Sequence, residues 1–291
     1  MTAAGFVALA GRPNVGKSTL VNAMVGRKVA IVSDKPQTTR RAIRGVATRG
    51  ERQLVLVDLP GVQRPRDALT ERMQRRVEHE LAESDAALFV VNAEQDVGPG
   101  DRFIAAALRG ADVPVVMAVN KVDRLDRART ARALARAAEL EVADELFPVS
   151  ARTGAGVEPL LEHLLALMPD GPLLFGEDER SDQPLEVQLS ELVREQVLRR
   201  TFQEVPHAVE VVVDEVERRD ELTVVRAYVW VEAESQKGIL IGAGGRMIRA
   251  IGTAARRELE RELGGRVHLE LSVRVRRWRA DEALLDRLGI E

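Results

Sequence analysis

The chain has 291 residues, 45% of them hydrophobic and 31% charged, with a formal net charge of −3. This length allows one or two domains with sizeable cores. The absence of cysteine excludes a disulfide framework or a thiolate metal centre, and no apolar run approaches the ~20 residues of a membrane-spanning helix. The N-terminus has no basic leader pattern and enters a motif directly, so a cytoplasmic protein is expected. The four histidines (His79, His163, His207 and His268) are scattered and read as surface or packing residues rather than ligands.

In chain order, short apolar runs alternate with amphipathic stretches. "FVALAG" (6–11), "LVLVDLPG" (54–61), "AALFVVNA" (86–93), "VPVVMAVNK" (113–121) and "ELFPVSA" (145–151) read as buried strands. Helical patterns lie between most of them, for example over 17–25, 69–83 and 127–140. The alternation predicts an α/β domain over 1–167, a mostly parallel sheet with helices on both faces. "IRGVATRGERQLVLVD" predicts a hairpin turning near Gly50, which adds one antiparallel edge strand. Prolines, glycines and an acidic run over 168–184 break the periodicity and mark a linker.

Residues 185–291 have another order. A helix is expected over 185–200, with apolar positions at Val187, Leu189, Val193 and Val197. Strands follow at 208–215 and 222–231, then a short helical turn at 236–241, a glycine loop, a helix over 246–263, a strand "VHLELSVRV" and a last helix over 280–288. Charge divides this half of the chain. Residues 207–235 carry three basic and eight acidic groups, whereas 236–279 carry 11 and four, so a basic part stands beside an acidic one.

"GRPNVGKST" comprises Gly11, Arg12, Pro13, Asn14, Val15, Gly16, Lys17, Ser18 and Thr19. It follows a strand and opens a helix, which is the context of a phosphate-binding P-loop. Glycines let the backbone wrap an anion, and the helix N-terminus points N–H groups at phosphates. Lys17 then reaches the β- and γ-phosphates, and Ser18 holds Mg²⁺. Asp58, Leu59, Pro60 and Gly61 end another strand: Asp58 suits Mg²⁺ through water, and the Gly61 N–H suits the γ-phosphate. "NKVD" ends a further strand. Its Asp123 can accept the N1–H and N2–H of guanine, a donor pair that adenine lacks. Asn120 can brace the loop and the Lys121 stem can cover the base. "VSA" offers the backbone N–H groups of Ser150 and Ala151 to guanine O6. All four segments lie at carboxyl ends of strands, where nucleotides bind in such sheets.

The second glycine loop, Gly242-Ala243-Gly244-Gly245, follows Ile241 and precedes a helix. G-x-x-G between two helices, in an α-β-β-α-α-β order, fits a type II KH domain of the α+β class, which clamps about four nucleotides of single-stranded RNA. Lys237 and Gly238 precede the loop, and Arg246, Arg249, Arg256 and Arg257 follow it as phosphate partners. "RVRRWR" (274–279) reads equally as an RNA-facing run or a solvated strand end, and Trp230 and Trp278 read as packing residues. The arginines Arg64, Arg66, Arg72, Arg75 and Arg76 read as a solvated helix face, with RNA or the ribosome as the alternative.

"GRPNVGKS", "QTTRR", "DLPG", "NKVD" and "VSA", in this order and with the KH segment behind them, resemble the Era family of translation-factor-class GTPases over essentially the whole chain. The resemblance implies GTP hydrolysis to GDP, with GTP ordering the switch loops. It also implies single-stranded rRNA near the 3′ end of the 16S molecule as partner, in assembly of the small (30S) ribosomal subunit, by a monomer. "PQTTR" becomes switch I, with Thr39 or Thr38 meeting Mg²⁺ and the γ-phosphate; Thr39 is preferred. Lys17, Asn14 and Thr39 are the candidate catalytic residues. Val62 stands where Ras-like enzymes have a water-orienting glutamine. In related GTPases the P-loop asparagine helps bind K⁺, which makes Asn14 a candidate K⁺ ligand; the alternative is that it only braces the loop. Leu59 and Ala243 depart from the family's threonine and lysine. Peripheral membrane association is discussed for the family, but the sequence carries no anchor. Two rival readings are a GTPase that assists tRNA modification, which usually adds a catalytic cysteine or cofactor domain, and an RNA-binding module that holds nucleotide without turnover.

Overall fold

The computed structural model describes all residues except 36–37, 62–67, 144, 177–178, 203, 280, 283–284, 286–287, 289 and 291. Contacts divide it into two compact units, 1–182 without 33–35, and 183–291 with 33–35.

The first unit runs β1 (Ala3–Ala10), α1 (Lys17–Val25), β2 (Ile43–Arg49), β3 (Arg52–Asp58), α2 (Ala68–Ala82), β4 (Ala86–Asn92), α3 (Pro99–Arg109), β5 (Val115–Asn120), α4 (Arg127–Ala138), β6 (Glu145–Val149) and α5 (Val157–Leu167). Its sheet has the order β2-β3-β1-β4-β5-β6. Among its described strands only β2 is antiparallel, paired to β3 from Ile43–Asp58 to Arg49–Arg52. The turn begins at Gly50, whose φ of 58° suits glycine at the first central position of a two-residue hairpin loop.

The continuous apolar runs follow from burial on both faces. Along β4, Ala86, Leu88 and Val90 enter one core with α1 and α5, while Ala87, Phe89 and Val91 enter the other with α2, α3 and α4. Leu59, fully buried, belongs to the second core, so leucine in place of threonine adds apolar packing there.

The described residues of the expected linker up to Asp182 are bound along the first unit, and 183–184 belong to the second. Ala4 N–H donates to the Pro169 carbonyl, Gly171 N–H to that of Thr2, and Val46 N–H to that of Arg180. Gln53, wholly buried, uses both ends of its amide. Its Oε1 accepts from Leu174 N (2.8 Å) and Phe175 N (2.9 Å), and its Nε2 donates to Phe175 O (3.0 Å) and Thr48 Oγ1 (3.1 Å). Gln53→Leu leaves three backbone groups without partners at about 1–3 kcal/mol each where they stay buried. Hydrogen exchange at Leu174 and Phe175 should accelerate at least tenfold in this variant; native protection there would show that the amide is not what holds the segment.

The second unit contains α6 (Leu185–Arg200), α7 (Val205–Ala208), β7 (Glu210–Arg219), β8 (Leu222–Val231), α8 (Glu234–Ile241), α9 (Arg246–Leu263) and β9 (Arg266–Val275). The sheet order is β7-β8-β9, with β7 antiparallel and β9 parallel to β8. The four-residue α7 is an addition to the expected α-β-β-α-α-β order, whose other elements follow as expected. Helix α6 buries Leu189, Leu192, Val193 and Val197, and α9 buries Ile251, Ala255 and Leu259 at successive turns of one face. Alternate residues of the strands (Val225, Ala227, Val229 and Val231 on β8) complete this core. Trp278 is fully buried and its Nε1 donates to Ala208 O, which makes it a packing residue. Arg274 and Arg276 lie over the rings of Tyr228 and Trp230. Most of the last helix expected, 280–288, lies outside the described residues.

Candidate functional site

The loop from β1 to α1 reverses over Asn14 (φ 63°) and Gly16 (φ 103°). A Cβ on Gly16 would sit 2.3 Å from Asn120 Nδ2, and one on Gly61 would sit 2.7 Å from Pro13 Cγ. Both glycines therefore answer a close approach between loops that are distant in sequence. Arg12 is anchored sideways, Nε to Asp101 Oδ1 (2.8 Å) and Nη2 to Gln95 Oε1 (2.9 Å). Val15 is buried, and Ser18 and Thr19 lie in the first turn of α1.

Lys17 is buried beneath this loop and donates to Gly11 O (3.0 Å) and Arg12 O (3.3 Å). Desolvation lowers its pKa to about 8, opposed by the charge of Asp58. It remains mostly protonated at neutral pH. Asp58 is fully buried, and burial pushes its carboxyl above the ordinary range, against the pull of Lys17 and of hydrogen bonds from Ser18 and Thr39. Ser18 Oγ donates to Asp58 Oδ2 (2.6 Å), Thr39 Oγ1 lies 3.3 Å from the same oxygen, and the two hydroxyls are 3.1 Å apart. Asp58 Oδ1 is buried, with no hydrogen-bond partner among the described residues.

That orphaned oxygen, with two hydroxyls beside its carboxylate, fits a hard divalent cation. Mg²⁺ typically takes one or two carboxylates, with waters and substrate phosphates completing its octahedron. Thr39 is the threonine that the fold brings to Asp58 and Ser18. Pro36 and Gln37 of the same segment, and Val62, Arg64 and Arg66 beyond Gly61, lie outside the described residues.

At the base end, Asn120 Nδ2 donates to Val15 O (2.9 Å), while its Oδ1 accepts from Lys121 N (2.8 Å) and Ala151 N (3.0 Å). Lys121 adopts φ 73° and reaches across to Asn14 O (2.8 Å); burial lowers its pKa. Asp123 accepts from Ser150 Oγ (2.7 Å) and from Arg152 Nε (3.1 Å) and Nη2 (2.6 Å). These partners, Ser150 foremost, hold its carboxyl below the ordinary range. The Ser150 N–H donates to Ala155 O (2.8 Å) and the Ala151 N–H to Asn120 Oδ1, so both are committed to bracing the loops. Guanine O6 would have to share the Ala151 donor.

In the second unit the glycine loop is a tight 3-10 turn. Gly242 has φ 68°, and a Cβ there would sit 2.8 Å from Met247 Cβ. Gly244 and Gly245 also have positive φ, but nothing among the described residues lies within 4 Å of a Cβ on Gly244. Ala243, Gly244, Arg246 and Arg249 are exposed, as are Gly238 and Ile241 at the end of α8. Arg246 Nε donates to Ala243 O (3.3 Å), and Arg249 donates to Gly245 O (3.2 Å) and Gly244 O. Lys237 Nζ lies 3.7 Å from Glu234. Beside the loop runs a groove of about 390 Å³ lined by Ile248, Arg249, Gly252, Thr253 and Arg256 of α9 and His268, Leu269 and Leu271 of β9.

Known proteins match this arrangement. A family model described as 50S ribosome-binding GTPase matches residues 6–121, and a KH domain model matches 204–279. The GTPase Era of Mycobacterium avium (strain 104) is 46% identical over 293 aligned residues, covering 98% of each protein. The chain belongs to the Era family of GTPases. The GTPase Era of Mycobacterium tuberculosis H37Rv is 45% identical with the same coverage. Two solved Era structures superpose with a TM-score of 0.95 at 34% identity. One is Era in complex with MgGDPNP and nucleotides 1506–1542 of 16S ribosomal RNA, which matches over 100% of this chain and 99% of that one. The other is a variant of Aquifex aeolicus Era bound to GDP·AlF4⁻, matching over 99% of both.

As a member of the Era family the chain is a GTPase with a P-loop domain and a KH domain. Sequence reasoning missed Arg152 and most of the groove. The signal for the groove was present, since 248, 249, 252, 253 and 256 share one face of α9 and 269 and 271 one face of β9. The exposed side of an amphipathic helix gives no pattern that separates a groove wall from a solvated face. Among the described residues, no helix is long and apolar enough to cross a membrane, and no group of three or more His, Cys, Asp or Glu could hold a metal.

Proposed function

We propose that the chain binds and hydrolyses GTP with Mg²⁺ at the cluster of Lys17, Ser18, Thr39 and Asp58, and clamps single-stranded 16S rRNA near its 3′ end during small-subunit assembly in the cytoplasm, as a monomer. The orphaned carboxylate oxygen of Asp58 carries the nucleotide half of this reading: a buried acceptor without a donor suits a cation. When bound there, Mg²⁺ would neutralise phosphate charge. Lys17, released from the loop carbonyls, would add its charge to the β- and γ-phosphates. Asn120 would hold the P-loop against the base loop, and Asp123 would read the guanine edge.

For RNA, Gly242 and Gly245 would set a loop that lets a phosphate pass close to backbone. Arg246 and Arg249 would supply the attraction, and the adjacent groove would receive bases. The relatives' names, and the 16S rRNA fragment bound to one of them, favour ribosomal RNA over tRNA. Crosslinking the GTP-loaded protein in cells and sequencing the attached RNA should recover the 3′ region of 16S rRNA. Enrichment of tRNA would transfer the reading to tRNA modification.

Turnover by the isolated chain should be slow, because valine at position 62 has no group to orient water. Asn14, exposed at the rim of the P-loop, offers an amide oxygen suited to a monovalent cation such as K⁺, whose charge would assist there. Exchanging K⁺ for Na⁺ should lower the hydrolysis rate, and Asn14→Ala should abolish the difference between the two salts. Equal rates in both salts with the native chain would leave Asn14 only a structural part in the loop.

A further inference from the structure

Asp123 lies in the 3-10 turn Val122–Arg124 that follows β5. Its Oδ1 accepts one bond, from Ser150 Oγ, and its Oδ2 accepts two, from Nε and Nη2 of Arg152. A carboxylate offers about two lone-pair sites per oxygen. The Arg152 fork thus occupies Oδ2, and one site is left on Oδ1. Guanine brings two donors to such a carboxylate, N1–H and the 2-amino group, and needs two sites.

The two protein partners differ in freedom. Ser150 is fully buried and also accepts from Thr153 N–H, which fixes its hydroxyl in the loop. The Arg152 side chain is 69% exposed over an Asp123 side chain that is 10% exposed. Arg152 is the partner that can withdraw into solvent.

We propose that Arg152 competes with the base for the carboxylate that reads guanine, a positioning residue that tunes nucleotide affinity and the preference for a base carrying the 2-amino group. The inference rests on Asp123 being the guanine acceptor. Hypoxanthine, with N1–H and no 2-amino group, needs only the one site left on Oδ1, so the competition falls more heavily on guanine.

Calorimetry with GDP, inosine diphosphate and ADP on the native chain, Arg152→Ala and Arg152→Lys tests this. An exposed ion pair is worth roughly two- to fivefold in an equilibrium. Arg152→Ala should therefore bind GDP about two- to fivefold more tightly than the native chain at low salt, with a smaller gain for inosine diphosphate. Arg152→Lys, which has a single nitrogen in place of the fork, should lie between. The gap between native and Arg152→Ala should narrow as salt screens the pair. Unchanged GDP affinity in Arg152→Ala overturns the inference, and weaker affinity would overturn it by making Arg152 a residue that covers the base. Equal gains for GDP and inosine diphosphate overturn the claim on selectivity. If the native chain prefers GDP to ADP in any of these cases, Asp123 keeps its role and only the competition by Arg152 falls. If the native chain binds ADP as well as GDP, the reading of Asp123 fails and the inference fails with it.

Discussion

Calorimetry should find GDP bound ~10⁴-fold or more tightly than ADP, the discrimination available to a site whose buried polar groups lose their partners when the wrong ligand enters. Adenine presents a bare N1 and a 2-position hydrogen where guanine presents two donors, so the Asp123 carboxylate would face an acceptor and a C–H. Asp123 is poised for this, since the Ser150 hydroxyl, the foremost cause of its lowered carboxyl, fixes it in the base loop. Asn120 fixes its distance from the phosphates by tying the base loop to Val15. Comparable affinities for GDP and ADP would refute the guanine assignment.

The double change Ala243→Asp with Gly244→Asp should weaken binding of a short single-stranded RNA tenfold or more. Two negative charges enter where a phosphate is expected to pass, and each should cost at least ~1 kcal/mol in a partly desolvated groove. The aspartates would also attract Arg246 and Arg249, which already bend back onto this loop. The turn itself should survive. Gly244 has φ 59°, a region that aspartate tolerates better than most residues, and a Cβ there meets nothing within 4 Å. Gly242 is left alone because its Cβ would strike Met247. Affinity for a labelled GTP analogue should not change, since the two loops belong to different compact units. The RNA effect should shrink as salt rises, because phosphate contacts are salt-dependent. Fluorescence anisotropy with both ligands measures both halves. Unaltered RNA affinity would mean that the glycine loop is only a turn, and would move attention to 274–279 and the arginines of α2.

The P-loop, the strand-end motifs and the α-β-β-α-α-β order were legible in the sequence because each depends on local spacing. Apolar runs mark strands buried on both faces, glycines mark the left-handed turns at Gly50, Gly16 and Gly242, and a period near 3.6 marks α6 and α9. The chemistry at each site was less legible. Which threonine meets Asp58 depended on how a loop folds over a partner 19 residues away, and the sequence offered two adjacent candidates. Tertiary structure brought Thr39 and, among the described residues, left one oxygen of Asp58 without a donor. It tied the Ser150 N–H to Ala155 within the same loop and the Ala151 N–H to Asn120 across to the next, and set Arg152 over Asp123. It also pinned residues 174–175 to Gln53, more than 120 positions earlier. Backbone propensity and amphipathic period report a residue's neighbours along the chain. A hydrogen bond between loops depends instead on sheet order and on register, which set the separation of strand ends, and neither is written in any single stretch of the sequence.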